Sequence, residues 1–265
     1  MNLDKVNNYI SSCIDQKPKI GLILGSGLDF FTSFIKDKIT IPYSKIPTFY
    51  QTNVKGHKGE FVYGYIQNIP ILCAKGRFHY YEGYSFNEVG SIISTFNSLN
   101  TDLSIITNSS GCVDTKWEIG SLMLSNKIID FSFIESSKHI VHNFKENKYT
   151  ELAKEVALKN KIKLYEGAYT YTTGPTYETP AEIKEIISIG GKAVGMSTFP
   201  EYLKCIELKQ KFLIISCLTN FGAGLNNTKV THQDVLLNAD RSKEVFSKYI
   251  LNIIQNIEHQ KILKR

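Results

Sequence analysis

The chain has 265 residues, 42% of them hydrophobic and 12% aromatic, which is enough apolar surface to bury the core of one large domain. Its formal net charge of +6 comes from lysines scattered along the sequence without a basic run, so we expect no nucleic-acid partner, although a small anionic substrate would fit. No apolar run approaches the roughly 20 residues of a membrane span, and residues 1–19 lack a signal-peptide core, so we expect a cytoplasmic protein without membrane contact.

Strand and helix patterns alternate along the chain. The first half is predicted to hold strands Lys19–Leu24, Phe61–Gln67 and Ile69–Ala74, helix Ser85–Leu99 and strand Leu103–Thr107. The second half is predicted to hold helix Tyr149–Lys161, strand Leu164–Tyr171, helix Pro180–Ile189, strand Lys192–Gly195, helix Thr198–Lys209, strand Phe212–Leu218 and a last helix from about Thr231 to His259. This alternation predicts a single α/β domain over residues 1–265, with a mixed, mainly parallel β-sheet covered by helices.

Polar motifs follow several of these strands, and in such a sheet ligands bind outside the carboxyl ends of the strands. Gly25-Ser26-Gly27 comes directly after the first strand, so its backbone N–H groups and the Ser26 hydroxyl could bind a phosphate. A plain tight turn explains this segment equally well, because it lacks the third glycine of a dinucleotide fingerprint and the lysine of a Walker loop. Thr219-Asn220 ends the last strand, where the asparagine either binds a ligand or caps a turn.

The segment Gly76–Tyr84 (GRFHYYEGY) combines a cation, an imidazole, a carboxylate and three tyrosines. Arg77 is the only arginine in the first 240 residues, and its planar fork of donors can bind an oxyanion at two points. Alternate residues of an extended segment share a face, so Arg77, His79 and Tyr81 can point at one ligand. Glu82 can orient the imidazole. The alternative is an aromatic sheet edge with one surface ion pair.

Two further segments place polar groups just before predicted helices. In Gly174–Glu182 (GPTYETPAE), Thr179 and Glu182 predict a capping box, so Glu178 lies beside a rigid helix start. Val194-Gly195-Met196-Ser197 precedes the next helix. Gly-Pro turns and capping boxes are common, so an ordinary helix start is the alternative interpretation.

Together these segments resemble the trimeric purine nucleoside phosphorylase family, which includes the inosine-guanosine phosphorylases and the related methylthioadenosine phosphorylases. The resemblance spans nearly the whole chain and is strongest to an inosine-guanosine phosphorylase. It rests on LGSGL at 24–28, GH at 56–57, GRFHYYEGY at 76–84, TNSSG at 107–111, GPTYETPAE at 174–182, VGMSTFPE at 194–201, TN at 219–220 and HQDV at 232–235.

The resemblance implies a pentosyltransferase that reversibly cleaves the N-glycosidic bond of a 6-oxopurine nucleoside such as guanosine or inosine with phosphate, releasing the free base and α-ribose 1-phosphate. It implies a homotrimer and no metal or organic cofactor, because inorganic phosphate is the co-substrate. The five cysteines show no zinc-ligand spacing, and we expect reduced, mostly buried thiols.

The resemblance also implies roles for individual residues. The implied phosphate site comprises Ser26, His57, Arg77, His79, the backbone of Ser109 and the hydroxyl of Ser197. The implied ribose site comprises Tyr81, Met196 and His232, and the implied base site comprises Tyr177, Glu178, Asn220, Ser110 and Val194. Of these, His79, Glu178 and Asn220 are the implied catalytic residues. The resemblance implies that His79 helps to hold the phosphate and that Glu178 and Asn220 stabilise the departing base by hydrogen bonds, so the cationic sugar lies between two anions and no protein nucleophile is needed.

The chain departs from the family pattern at two places. In the family, the segment corresponding to residues 131–149 sends an aromatic ring into a neighbouring subunit's site. Here that segment is shorter and rewritten, and Phe144 is only a candidate for the ring. Ser109 and Ser110 stand where the family has two alanines.

Three other interpretations stay open. A dinucleotide oxidoreductase would need an acidic residue about 20 positions after the glycine loop, and Asp37 is too near. A non-catalytic nucleoside-binding protein could keep Glu178 and Asn220, but it would have no use for the anion-binding residues. A methylthioadenosine phosphorylase would be expected to carry an aspartate at position 220 and an apolar residue at position 232.

Overall fold

A computed structural model of the chain describes residues 1–52, 58–226 and 242–259. The predicted site residues His57 and His232 lie outside the described residues, as does the predicted start of the last helix. Within the described ranges, no helix is long and apolar enough to cross a membrane.

The described residues form α-helices, strands and short 3₁₀ helices. The α-helices are α1 (Leu3–Cys13), α2 (Phe86–Val89), α3 (Ser91–Ser98), α4 (Lys148–Lys159), α5 (Pro180–Ser188), α6 (Phe199–Glu207) and α7 (Lys243–His259). The strands are β1 (Ile20–Leu24), β2 (Lys36–Pro42), β3 (Glu60–Ile66), β4 (Ile69–Lys75), β5 (Leu103–Cys112), β6 (Leu122–Asp130), β7 (Ile140–Asn143), β8 (Leu164–Tyr171), β9 (Gly191–Gly195) and β10 (Phe212–Phe221). The 3₁₀ helices cover Asp29–Phe34, Tyr43–Lys45 and Tyr80–Glu82.

The described strands join one mixed sheet in the order β10-β6-β8-β9-β5-β1-β4-β3-β2, with β7 paired to β6. Because β10 also pairs with β5, the strands β5, β9, β8, β6 and β10 close into a barrel, and the remaining strands extend from it beyond β1. The prediction of a mixed sheet is confirmed. The sheet is less parallel than predicted, since antiparallel pairings among the described strands are as numerous as parallel ones.

Several elements differ from the predicted ones. β5 continues to Cys112 and β10 to Phe221, because these two strands pair in parallel up to their ends. Asn108–Gly111 are therefore strand residues rather than the loop after a strand. The predicted helix over 85–99 is instead α2 and α3, which meet at Gly90. α1, β2, β6 and β7 were not predicted.

Apolar layers cover both faces of the sheet. On one face, Leu103, Ile105 and Ile215 pack with side chains of α4 and α7. On the other face, Ile106 and Ile214 pack with side chains of α1, α3 and α6. Polar side chains that follow the strands are therefore left to meet at the strand ends, where a ligand can reach them.

Candidate active site

A cleft gathers polar residues from the carboxyl ends of β1, β4, β5 and β10 and from the segments after β8 and β9. The cleft has a volume of about 140 Å³ and is open to solvent on one side. It is lined by Gly25, Ser26, Arg77, His79, Tyr81, Asn108, Ser109, Ser110, Gly111, Tyr177, Glu178, Val194, Gly195, Met196, Ser197, Asn220, Gly222 and Ala223. Every predicted site residue within the described ranges lines this cleft.

The Arg77 guanidinium is buried and is held by hydrogen bonds that Nε and Nη1 donate. Nε donates to Oε1 of Glu201 at 2.8 Å, while Nη1 donates to the carbonyl oxygen of Thr107 at 2.7 Å and to the hydroxyl of Ser197 at 3.3 Å. Arg77 is 1% exposed and Glu201 is fully buried, so this is not the surface ion pair of the alternative interpretation. An ion pair taken out of water is costly unless its geometry is well satisfied. The cation is therefore fixed in direction beside the cleft.

Ser197 lies on a turn that is held from two sides. The Tyr169 hydroxyl donates to the Ser197 carbonyl oxygen at 3.0 Å, and Nδ2 of Asn108 donates to the Thr198 hydroxyl at 2.9 Å. Thr198 has a φ of 78°, a left-handed conformation that β-branched residues rarely adopt. Strain of this kind persists only where surrounding contacts impose it, and it often accompanies a functional site.

His79 is oriented by Glu82, as the sequence predicted. Nδ1 of His79 lies 3.1 Å from Oε1 of Glu82, which also accepts the backbone N–H of His79 at 2.8 Å. Oε2 of Glu82 accepts the Thr52 hydroxyl at 3.0 Å, and the His79 ring stacks on Tyr81 with centroids 4.8 Å apart. Burial raises the pKa of Glu82, but the hydrogen bonds from His79 and Thr52 outweigh this effect and lower it below its usual value. Glu82 therefore stays ionised and fixes the imidazole.

Glu178 lies in the segment between β8 and α5, just before a rigid helix start. The capping box of Thr179 and Glu182 is formed as predicted, with Pro180 at the start of α5. Oε1 of Glu178 accepts the Thr172 hydroxyl at 2.7 Å. Burial raises the pKa of Glu178, and the bond from Thr172 offsets part of this rise. A hydrogen bond donated by a ligand would stabilise the ionised form of this partly buried carboxyl.

Gly174 allows the segment after β8 to approach the opposite wall of the cleft. It has a φ of 69°, and a Cβ at this position would lie 2.5 Å from Sδ of Met196 and 2.9 Å from Cδ1 of Tyr81. Only glycine meets both conditions. This close approach brings the segment that carries Glu178 against the residues of the predicted ribose site.

Asn220 lies at the end of β10, partly buried, with its amide oriented by its two neighbours. Oδ1 accepts the Thr219 hydroxyl at 3.0 Å, and Nδ2 donates to the carbonyl oxygen of Phe221 at 3.0 Å. A Cβ on Gly111 would lie 3.4 Å from Nδ2 and 3.2 Å from Cγ1 of Val194, so Gly111 leaves room beside the amide. An amide has two donor protons and two acceptor sites, so one of each remains after these bonds.

Phe144, the candidate for a ring that reaches a neighbouring subunit, does not line the cleft. Its ring packs within its own chain, 5.0 Å from Tyr202 and 5.2 Å from Phe212 between centroids. In the same segment, Phe133 is 49% exposed.

Metal ligands do not cluster in the part of the chain that the structure describes, where no group of three or more His, Cys, Asp or Glu side chains could hold an ion. All five cysteines are free, and Cys73, Cys112, Cys205 and Cys217 are buried.

Comparison with known proteins identifies the family. The family model described as the Phosphorylase superfamily matches residues 19–255. Purine nucleoside phosphorylase 1 of Geobacillus stearothermophilus is 35% identical over 271 residues, which cover 96% of this chain and 97% of the relative. The chain belongs to the purine nucleoside phosphorylase family. Purine nucleoside phosphorylase 1 of Bacillus subtilis is 32% identical over 267 residues, covering 97% of this chain and 98% of the relative.

The fold agrees with that of a solved purine nucleoside phosphorylase. The crystal structure of the Schistosoma mansoni enzyme in complex with inosine superposes with a TM-score of 0.85 at 29% identity, covering 96% of this chain and 95% of that one. The purine nucleoside phosphorylase family recognised from the motifs is thus confirmed, with an α/β fold.

The sequence did not predict the residues that hold the side chains of the cleft in place by hydrogen bonds. Glu201 holds Arg77, Thr172 holds Glu178, and Asn108 holds Thr198 next to Ser197. Glu201 gave one signal, a lone carboxylate in the first turn of α6 between Pro200 and Tyr202. Asn108 and Glu201 also lie in the motifs TNSSG and VGMSTFPE, but the motifs assigned no role to either residue. Thr172 gave no signal, because a polar side chain after a strand has many possible partners.

Proposed function

We propose that this protein is a purine nucleoside phosphorylase that reversibly cleaves 6-oxopurine ribonucleosides and deoxyribonucleosides, such as guanosine and inosine, with inorganic phosphate. The products are the free purine base and α-(deoxy)ribose 1-phosphate. One observation carries this proposal: a single cleft brings a buried, rigid arginine and several hydroxyl donors together with a carboxylate and an amide. Both an oxyanion and the polar edge of a purine can be bound in such a cleft.

The phosphate is proposed to bind Ser26, Arg77, His79, the Ser109 backbone and the Ser197 hydroxyl, with His57 as a further contact. All the described members of this set line the cleft. Arg77 offers a buried cation whose direction Glu201 fixes, and charge-assisted hydrogen bonds to an anion are strong. No metal or organic cofactor is part of this proposal.

The base is proposed to bind Glu178 and Asn220, with Tyr177, Ser110 and Val194 around it. Glu178 accepts the N1–H that only a 6-oxopurine offers. Asn220 donates to O6 and accepts the proton of a protonated N7. These assignments are supported by the one donor and one acceptor site that remain on the Asn220 amide, and by the partly buried carboxyl of Glu178. Tyr81, Met196 and His232 are proposed to surround the ribose.

The proposed reaction needs no protein nucleophile. A phosphate oxygen forms the new bond to C1′ as the bond from C1′ to N9 breaks. The electron pair of that bond leaves with the purine, which takes up a proton at N7 from solvent. The sugar becomes cationic between the phosphate and the departing base. Polar groups already aimed at both anions, among them Arg77 and Asn220, need no reorganisation as charge develops, and this is the main source of rate.

We also propose that residues 1–265 form one domain and that the protein is a cytoplasmic homotrimer. The segment over 131–149 exposes three large apolar side chains, Phe133, Ile134 and Val141, and this supports a subunit contact. Sedimentation at concentrations used in activity assays tests this proposal. A fully active monomer of 30.0 kDa would contradict it.

Release of free base from guanosine, inosine, adenosine and methylthioadenosine, each with and without phosphate, tests the proposed function. We expect rapid release from guanosine and inosine only when phosphate or arsenate is present. Equal release without either anion would make the protein a hydrolase, and nucleoside binding without turnover would make it a binding protein. Preference for methylthioadenosine would place it in the neighbouring branch of the family.

A further inference from the structure

The turn that carries Ser26 is of a kind that can convert to a second form by the flip of one peptide. Residues 25–28 form a β-turn in which the Leu28 N–H donates to the Gly25 carbonyl oxygen at 3.1 Å. Gly27, the third residue, has a φ of 76°, which is the mark of a type II turn. Type I and type II turns differ by a flip of the central peptide, here the one between Ser26 and Gly27, and glycine in the third position permits both.

A hydroxyl on β5 determines which way this peptide points. The Ser109 hydroxyl donates to the Ser26 carbonyl oxygen at 2.6 Å. Thr107, two residues earlier on the same face of β5, accepts the Gly25 N–H at 3.2 Å and donates to the Ile23 carbonyl oxygen at 2.8 Å. Thr107 thus fixes the start of the turn in either form. Of these contacts, only the one from Ser109 is lost when the central peptide flips.

We propose that Ser109 is a positioning residue whose hydroxyl holds the Ser26 turn in the form that binds phosphate. The inference rests on the proposed function, and it is separate from the contact proposed for the Ser109 backbone. When only a fraction of the turns is competent, the apparent affinity for phosphate falls by that fraction. Chemistry on phosphate that is already bound is unaffected.

Ser109→Ala removes the hydroxyl and keeps the strand. We expect the KM for phosphate to rise about three- to tenfold, and the KM for inosine and the kcat to change by less than about twofold, because one hydrogen bond that acts on phosphate binding alone is lost. Ser104→Ala is the matched control, since Ser104 lies on the same strand and its buried hydroxyl has no hydrogen-bond partner among the described residues. We expect wild-type KM values in this control.

A second pair of variants separates the hydroxyl from its size. Threonine and valine have nearly the same shape, and only threonine keeps the hydroxyl, so the phosphate KM of Ser109→Thr should lie clearly below that of Ser109→Val. This comparison stands even if Ser109→Ala folds poorly.

Two results would overturn the inference and leave the proposed function intact: an unchanged phosphate KM in both Ser109→Ala and Ser109→Val, or an equal rise in the KM for inosine. Wild-type protein that releases no base in the presence of phosphate would overturn the proposed function, and the inference with it.

Discussion

Because Arg77 and Glu201 form a buried ion pair, we predict that the Glu201 carboxylate contributes both to the stability of the fold and to phosphate binding. Glu201→Ala removes the oxygen that accepts Nε of Arg77 at 2.8 Å, in a place where both side chains are almost fully buried. Removing one partner of a buried pair costs about 3–5 kcal/mol, which for a chain of 265 residues lowers the melting temperature by roughly 10 °C. Arg77 also loses the contact that sets its direction, so the KM for phosphate should rise by about 10- to 100-fold.

The assay combines thermal unfolding with steady-state kinetics at varied phosphate. Glu201→Gln keeps an acceptor for Nε but removes the charge, and we expect it to fall between the wild type and the alanine variant in both measurements. The matched control is Glu118→Ala, because Glu118 pairs with Lys163 on the surface. Loss of an exposed pair changes stability by less than about 1 kcal/mol.

A double variant separates stability from function. When both members of a buried pair are replaced by apolar side chains of similar volume, stability is often retained, so Arg77→Met with Glu201→Leu should melt well above Glu201→Ala. Its phosphate-dependent release of base should nevertheless stay lost. The reasoning is refuted if Glu201→Ala melts with the wild type and keeps its phosphate KM, since the pair would then neither carry stability nor fix Arg77.

Three further predictions concern the proposed contacts. Arg77→Lys keeps the charge but not the fixed fork of donors, so kcat/KM for phosphate should fall by about 100-fold; wild-type kinetics would show that Arg77 is peripheral. Burial raises the pKa of Glu178 by more than the hydrogen bond from Thr172 lowers it. The ionised form of Glu178, which accepts N1–H, is therefore lost as pH falls through this raised pKa. The KM for inosine should therefore rise on acidification in the wild type and not in Glu178→Gln, and a flat wild-type profile would contradict this assignment. The sign for folding is opposite, since ionising a carboxyl with a raised pKa costs stability, which should decline as pH rises through that pKa. Asn220→Asp should raise the ratio of kcat/KM for adenosine to kcat/KM for inosine, because the side chain can then accept hydrogen bonds from both the 6-amino group and N7–H. The same variant should have a lower melting temperature, because a carboxylate oxygen would face the Phe221 carbonyl oxygen at 3.0 Å. An unchanged ratio would show that Asn220 does not read the base.

Local contacts were predictable from the sequence because they join residues that are close in the chain. The capping box of Thr179 and Glu182 and the bond between His79 and Glu82 each span three residues, so the side-chain types and their spacing suffice. The positions of the polar motifs were also predictable, because side chains that follow neighbouring strands meet at one edge of a sheet. The motifs placed Ser26 and Asn220 at the ends of strands, and the family resemblance joined them with Arg77 and Glu178 in one proposed site and gave them roles.

Only the tertiary structure decided which residues hold that site in place. Arg77 and Glu201 are 124 positions apart, and Ser26 and Ser109 are 83 apart. The second parallel neighbour of β5, which closes the barrel and extends the strand to Cys112, comes from β10 at the far end of the chain. Periodicity and spacing describe only a residue's neighbours in sequence. The contacts above depend on strand order, on strand register and on which helix covers which face of the sheet, and these features are fixed only when the whole chain packs.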